Sequence, residues 1–186
     1  MKFLENRRIA WAAYAVCAVL SIFCLGGVRM RSDQAKVETV YYEGTDTALS
    51  SRHSMDAYLD RAADAAGILA QEGTLYLGEE DAQCFLTSRL AQDLRDTESI
   101  SDRYNHYLAL IDSVEALYTA LEAENLSEKQ MLNASAAYGD FKGAVNLVKN
   151  DQYHQLAANY NKNTSGFPAK LIRDMFGLEE QNTYGW

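Results

Sequence analysis

Proline and cysteine are almost missing from this chain of 186 residues, which contains one proline and three cysteines. A chain with so little proline and so much Ala, Leu, Glu, Asp and Gln favours helices. Cys17 and Cys24 lie in an apolar run, so Cys84 is the one thiol in the rest of the sequence. A single thiol excludes an internal disulfide there, and the absence of any Cys-x-x-Cys pair excludes zinc ribbons and thiol-redox motifs.

Charge is missing from residues 9–28, which read IAWAAYAVCAVLSIFCLGGV. A helix of this length spans a hydrocarbon core of about 30 Å. The run is longer than the apolar core of a cleaved signal peptide, and no small-x-small cleavage triplet lies at its edge. We therefore expect residues 9–28 to form an uncleaved transmembrane helix whose partner is the lipid bilayer.

The charges that flank this run bear on its orientation. Three cations lie before the run and three follow it closely, namely Lys2, Arg7, Arg8 and then Arg29, Arg31, Lys36. The free amino terminus adds a further positive charge before the run, so the positive-inside rule favours a cytoplasmic N-terminus. The sequence thus predicts a single-pass protein of the cell membrane whose remaining residues form an extracytoplasmic domain.

Positive charge is scarce in the rest of the chain. Residues 38–186 carry 11 Lys plus Arg against 24 Asp plus Glu, a difference of −13. Such a domain repels nucleic acid and anionic lipid headgroups. We predict no nucleic-acid partner, and we interpret the acidic surface as a well-solvated one.

Apolar residues then recur at alternating steps of three and four, the spacing of one helix face. The clearest examples start at Met55, Tyr104 and Met131, and no strand pattern is present. Repeats of this coiled-coil-like kind, joined by short loops, pack as antiparallel helices. The predicted fold is all-α, with a basic tail (1–8), the transmembrane helix (9–28), an antiparallel four-helix-type bundle (29–177) and a C-terminal tail (178–186).

Local signals add detail to this prediction. Residues 33–42 are expected to continue the membrane helix outward, and Gly73 and Gly78 to bracket a break. The predicted N-terminal caps are Ser50 or Ser51, then Ser99 or Ser101, then a capping box in Ser127-x-x-Gln130. The helix that follows Gly78, with acidic residues 79–81 at its N-terminus, is predicted to bury Ala82, Phe85, Leu86, Leu90 and Leu94.

Catalytic motifs are absent: the chain has no Gly-rich phosphate loop, no Gly-x-Ser-x-Gly and no His-Glu-x-x-His. We predict no enzyme activity, no cofactor and no metal. The alternative is a metal-dependent or enzymatic module that uses His106, His154 and nearby carboxylates, because Asp102 and Asp151 share helix faces with them. His53 stands alone, and Cys84 among apolar neighbours is expected to be a small core residue.

The C-terminal segment is the most distinctive part of the sequence. Pro168 is expected to start a new helical turn and Gly177 to end it. Between them Leu171, Met175 and Phe176 join Phe167 in one apolar patch that is predicted to turn the tail back onto the bundle. Exposure of this patch, for docking a partner or for remodelling a membrane surface, is the alternative.

This arrangement resembles the LemA family of bacterial membrane proteins. The family's tail carries Tyr-Asn pairs, then Phe-Pro, a Leu and Phe-Gly. The positions that match here are Tyr153, Tyr160, Asn161, Phe167, Pro168, Leu171, Phe176 and Gly177, while His154 stands where Asn is usual. The family's layout, one N-terminal span followed by an all-α antiparallel bundle, also matches.

The resemblance implies a fold and a place in the bacterial envelope, without a reaction or catalytic residues to carry over. The matched positions are therefore interpreted as structural. The leading hypothesis is a membrane-anchored helical bundle that serves protein interaction or envelope organisation, with a protein partner still to be identified.

Overall fold

The computed structural model describes residues 7–45 and 54–184, apart from the side chain of Arg8. These ranges contain seven helices and no strand, which confirms the predicted all-α class. The helices are α1 (Arg7–Glu43), α2 (Met55–Leu77), α3 (Ala82–Asp96), α4 (Ile100–Ala123), α5 (Glu128–Lys149), α6 (Tyr153–Thr164) and α7 (Ala169–Met175).

The helices start where side chains can accept hydrogen bonds from free backbone N–H groups. The Asp81 carboxylate caps α3, Ser99 caps α4, and Ser127 with Gln130 forms the predicted capping box of α5. The cap of α2 is Ser54, whose hydroxyl accepts from the Ala57 N–H at 3.1 Å. The predicted caps Ser50 and Ser51 lie outside the described residues.

The predicted break between Gly73 and Gly78 is wrong, because α2 runs unbroken to Leu77. Gly73 is buried in the core, where an added Cβ would lie 2.7 Å from the Cys84 Sγ. This glycine therefore allows α2 and α3 to approach closely. Gly78 does end the helix, with a φ of +104° that favours glycine.

Helices α2 to α5 form the predicted antiparallel four-helix bundle. Contacts between α2 and α5 run in opposite directions along the two helices, from Glu72 with Asn133 to Arg61 with Asp140. The core consists mainly of Leu, Ala, Val and aromatic side chains, among them Leu59, Leu69, Leu94, Leu110, Val114, Leu117, Leu121, Phe141 and Val148.

The predicted apolar face of α3 is wrong at Ala82, Phe85 and Leu86, which are exposed, although Leu94 is buried as expected. The buried face instead passes through Cys84, Thr87, Ala91 and Leu94. Small side chains fit this face because α3 packs closely between α2 and α4. The Thr87 hydroxyl also forms a hydrogen bond of 2.8 Å with the Ser113 hydroxyl of α4.

Helix α1 is continuous from the apolar run to residue 43, which confirms the predicted outward extension. Within the described residues it is the one helix long and apolar enough to cross a membrane. None of its most apolar stretch is buried inside the protein, and Leu25 is 72% exposed. A membrane span and a signal sequence both have these properties.

After α5 the chain returns along α1 in the opposite direction. The Tyr153 ring at the start of α6 lies 5.3 Å from that of Tyr41, centroid to centroid. One to two turns nearer the apolar run, the Tyr160 hydroxyl donates to the Gln34 Oε1 at 3.3 Å. Helix α7 then reaches the run itself, so α6 and α7 line the same helix at successively earlier residues.

A buried ion pair holds the start of α4 against the start of α2. The Arg103 side chain is almost fully buried and donates to the carboxylates of Asp56 and Asp60, to the latter at 2.7 Å. A buried guanidinium is stable only while such partners remain. These contacts connect the bundle close to the point where α1 joins it.

Replacement of this arginine is predicted to destabilise the bundle. Arg103→Ala removes both ion pairs and leaves Asp56 partly buried without its cation, so we expect a loss of about 3 kcal/mol in the free energy of unfolding. Arg95→Ala is the matched control, because its pair with Asp64 lies on the surface and should contribute under about 1 kcal/mol. Chemical denaturation of the three proteins measures both values, and equal losses would contradict the assignment.

Candidate functional site

The histidines were the first candidates for a reactive site. Over residues 7–45 and 54–184, no group of three or more His, Cys, Asp or Glu side chains is placed to hold a metal ion. His154 is half-buried, and its Nε2 lies within hydrogen-bonding distance of the Val148 carbonyl oxygen. His106 is half-buried on α4, and His53 lies outside the described residues. The described part of the chain therefore offers no ligand set to the metal-dependent alternative.

Cys84 is buried between α2 and α3, as predicted for a small core residue. Burial, together with the neighbouring Asp81 carboxylate, raises the pKa of its thiol to about 12. The thiol is therefore protonated at neutral pH, and a protonated, enclosed thiol is a poor nucleophile.

The most elaborate contacts of the protein lie where α1 joins the bundle. Four tyrosine rings meet there, from α1 (Tyr41), α4 (Tyr107), α6 (Tyr153) and the C-terminal segment (Tyr184), and we call them the tyrosine cluster. The Tyr184 ring centroid lies 6.0 Å from that of Tyr41 and 5.8 Å from that of Tyr107. All four rings are almost completely buried, so this cluster joins four separate parts of the chain in one apolar contact.

Hydrogen bonds orient the cluster. The Tyr184 hydroxyl donates to the Ile100 carbonyl oxygen at 2.8 Å, and it lies 3.1 Å from the Tyr41 hydroxyl. Since Tyr184 uses its proton on the carbonyl, its oxygen accepts from Tyr41. Burial raises the pKa of Tyr184, which keeps this hydroxyl a donor. The chain of bonds runs from α1 through residue 184 to the start of α4.

The segment after α7 is held by the α6 side chain of Asn161. Its Nδ2 donates to the Gln181 carbonyl oxygen at 2.7 Å, and its Oδ1 accepts from the Gln181 N–H at 2.9 Å. Arg173 adds an ion pair with Glu180 at 2.6 Å. The sequence predicts a C-terminal tail at residues 178–186. Of these, residues 178–184 are held against α6 by Asn161, and this contact places Tyr184 in the tyrosine cluster.

Two glycines of the apolar run accommodate α7. A Cβ added to Gly27 would lie 2.3 Å from the Phe176 ring, and one added to Gly26 would lie 3.0 Å from the Ile172 side chain. Both positions therefore allow a helix to approach α1 closely, as small residues do between membrane helices. Ile172 is buried by this contact, whereas Phe176 remains 38% exposed.

The predicted motif residues accordingly divide into two groups. Tyr153, Tyr160 and Asn161 lie on α6 and hold α1 or the C-terminal segment, and Gly177 ends α7 with a φ of +62°. The apolar patch behaves differently: Phe167, Leu171 and Met175 are exposed, so the expectation that the patch packs onto the bundle is wrong for these side chains. Too little of the bundle lies beside α7 to cover them.

A groove of about 830 Å³ separates α1 from α6 just beyond the apolar run. Its walls carry the cations Arg29 and Lys36 beside apolar side chains such as Val37 and Leu156. The Lys36 ammonium pairs with Asp33 at 2.8 Å. The groove is an open surface between two helices, and its walls combine apolar side chains with Arg29 and the Lys36–Asp33 ion pair.

Sequence reasoning missed Arg103, Tyr41, Tyr184, Gly26 and Gly27 as contact residues. Adjacent glycines in an apolar helix are a recognisable signal of close helix packing, so the glycine pair was within reach of the sequence. The other three depend on which distant segments meet, and a single sequence does not contain that information.

Comparison with known proteins found no match for this chain among family models, curated proteins or solved structures.

The clamp formed by Asn161 generates a stability prediction. Asn161→Ala removes two hydrogen bonds and leaves the backbone of the buried residue Gln181 unpaired, so unfolding should become easier by about 1–3 kcal/mol. Hydrogen exchange in residues 178–184 should accelerate in parallel. Asn163→Ala is the control, because this exposed neighbour should change stability by no more than about 0.5 kcal/mol. Unchanged protection of residues 178–184 in Asn161→Ala would show that the clamp does not hold the segment.

Proposed function

We propose that the protein is a single-pass membrane protein of the LemA type whose apolar helix holds a rigid helical bundle outside the cytoplasmic membrane, for protein interaction or envelope organisation and without catalysis. In this proposal residues 9–28 cross the bilayer, the N-terminus is cytoplasmic and α2 to α7 are extracytoplasmic.

One observation carries the anchoring part of the proposal: the apolar run and the first helix of the domain are the same helix. Within the 37 residues of α1, the uncharged residues 9–28 are mostly exposed, and the part that follows contacts α6 and the tyrosine cluster through Gln34 and Tyr41. A cleaved signal would remove only part of a helix on which the domain packs. The arrangement instead favours an uncleaved anchor. Because the helix is continuous, the tilt of the anchor in the membrane sets the orientation of the bundle.

The interaction part of the proposal rests on the far end of the bundle. Helix α2 ends there, while α3 and α5 begin there, and large apolar side chains are exposed on all three: Leu75, Phe85, Leu86 and Leu132. Exposed apolar side chains grouped at one end favour contact with another protein. This end also points away from α1, where a partner has access.

The LemA assignment is supported by the placement of the resembling residues. Tyr153, Tyr160 and Asn161 line α1 and the C-terminal segment, and Phe176 lies on Gly27. Their shared role in this structure is to attach the chain's end to the anchor helix. This placement supports the interpretation of the matched residues as structural.

The anchor is tested by fractionation of the full chain. We expect it to stay with membranes during alkaline carbonate extraction at its full mass of 20.8 kDa, because an apolar helix of this length inserts stably. A tag fused after residue 186 should be digested when protease is added to intact spheroplasts. Release of a shortened, soluble chain would disprove the anchor, and a tag that is protected until the membrane is opened would disprove the orientation.

The interaction surface is tested by photo-crosslinking in intact cells. A photoreactive residue at position 85 or 132 should yield discrete adducts of higher mass, because Phe85 and Leu132 lie at the exposed far end. The matched control is position 112, where Asp112 is exposed in the middle of α4. Adducts at position 112 alone, or at none of the three positions, would contradict an interaction surface at the far end.

A further inference from the structure

We infer that α7, together with Phe167 before it and Phe176 after it, is a second membrane contact that lies in the lipid interface beside the outer end of α1. The inference rests on the proposed function, because it takes residues 9–28 to cross the bilayer. In addition to the span, a surface of the folded domain then lies in lipid, and the bilayer covers the exposed apolar patch.

The depth of α7 follows from its contacts with α1. Ile172 packs on Gly26 and Phe176 packs on Gly27, and both glycines precede the last residue of the uncharged run, Val28. At a rise of about 1.5 Å per residue, these contacts lie roughly 2–3 Å inside that end of the run. The Phe176 ring is therefore level with the boundary between the hydrocarbon core and the headgroups.

The exposed apolar side chains of this region lie at the depth of the outer end of the uncharged run of α1. Phe167 is 89% exposed and Met175 is 65% exposed, and Leu171 and Phe176 are also exposed. Leu25 and Val28 are equally exposed on the adjoining turn of α1, where lipid covers them if the helix spans the bilayer. Interfacial helices bury their apolar faces about 5–10 Å into the boundary between headgroups and acyl chains. Lipid at that depth would therefore cover both the patch and this turn of α1.

Charge near α7 also suits a bilayer surface. Residues 38–186 as a whole carry an excess of 13 negative charges, whereas near α7 the carboxylates of Asp33, Asp174 and Glu180 are each paired with a cation, Lys36 or Arg173. Arg29, Arg31 and Lys36 follow the run on α1, and Lys162 and Lys170 are exposed on the returning segment. Lysine stems lie along apolar surface while their ammonium groups reach lipid phosphates.

The fold holds α7 at this depth. Arg173 is buried by its contacts with Glu180 and Asp174, and Ile172 is buried against α1. Residues 178–184 then run back to the tyrosine cluster, so both ends of α7 are attached to the domain. Its apolar side chains are accordingly presented to the interface without any refolding of the segment.

Fluorescence quenching by brominated lipid tests this contact on the full chain. All variants carry Trp11→Phe and Trp186→Phe, which remove the native tryptophans. Phe167→Trp reports on the α7 patch and is a conservative change at a nearly uncovered position. Leu25→Trp is the control within the span, and Phe85→Trp, 67% exposed at the far end of the bundle, is the control in water. Each protein is reconstituted in vesicles of neutral and anionic phospholipid, with lipid brominated near the headgroup end of the acyl chain.

We expect Phe167→Trp to lose most of its emission to brominated lipid, as Leu25→Trp does, while Phe85→Trp keeps its emission. Quenching of Leu25→Trp without quenching of Phe167→Trp would overturn the inference and leave the anchor in place. Failure to quench Leu25→Trp would instead overturn the anchor, and the α7 contact with it. A third outcome would also overturn the inference: emission of Phe167→Trp that is not quenched by brominated lipid and that changes with protein concentration. It would mean that another protein molecule covers the patch.

Discussion

The contact of Tyr41 with Tyr153 and Tyr184 is the interaction on which the architecture depends. Without it α1 would retain less extensive contacts, those of Gln34 with Tyr160, of Tyr42 with the Glu98 carbonyl oxygen, and of the two adjacent glycines with α7. Through the Tyr41 contacts, the outer part of α1 is packed as a helix of the domain. Tyr153 of α6 contacts it from one direction and Tyr184 from another. The hydroxyl chain from Tyr41 through Tyr184 to the Ile100 carbonyl then fixes the rotation of α1 relative to α4.

The remaining polar contacts of the junction support this arrangement from the bundle side. Arg103 pairs with Asp56 and Asp60 near the same end of α2, and the Tyr42 hydroxyl donates to the Glu98 carbonyl oxygen at 3.0 Å. Direct contacts thus connect α1 to the loop before α4, and buried charge connects α4 to α2. The far end of the bundle has no such contact with α1 in the described residues, and its large apolar side chains are exposed.

Much of this fold follows from sequence because the signals are local. The uncharged run, the three-four spacing, Ser99 and the Ser127–Gln130 capping box each depend on neighbouring residues alone, and each matches a helix or a helix start. The errors arise where tertiary packing decides. Gly73 stays helical because Cys84 fills the space beside it, α3 buries Thr87 instead of Phe85 because its neighbours approach closely, and Phe167 stays exposed because α7 meets α1 instead of the bundle.

The central claim is that α1 forms one rigid helix from the apolar run into the domain, and hydrogen exchange of the full chain in lipid vesicles tests it most directly. Amides of residues 29–43 form the bridge between the two parts. The account predicts that they exchange slowly and as one unit with residues 153–164 of α6, because the two helices pack side by side. Fast exchange confined to residues 29–36, with slow exchange on both sides, would reveal a hinge between anchor and bundle and would contradict the account.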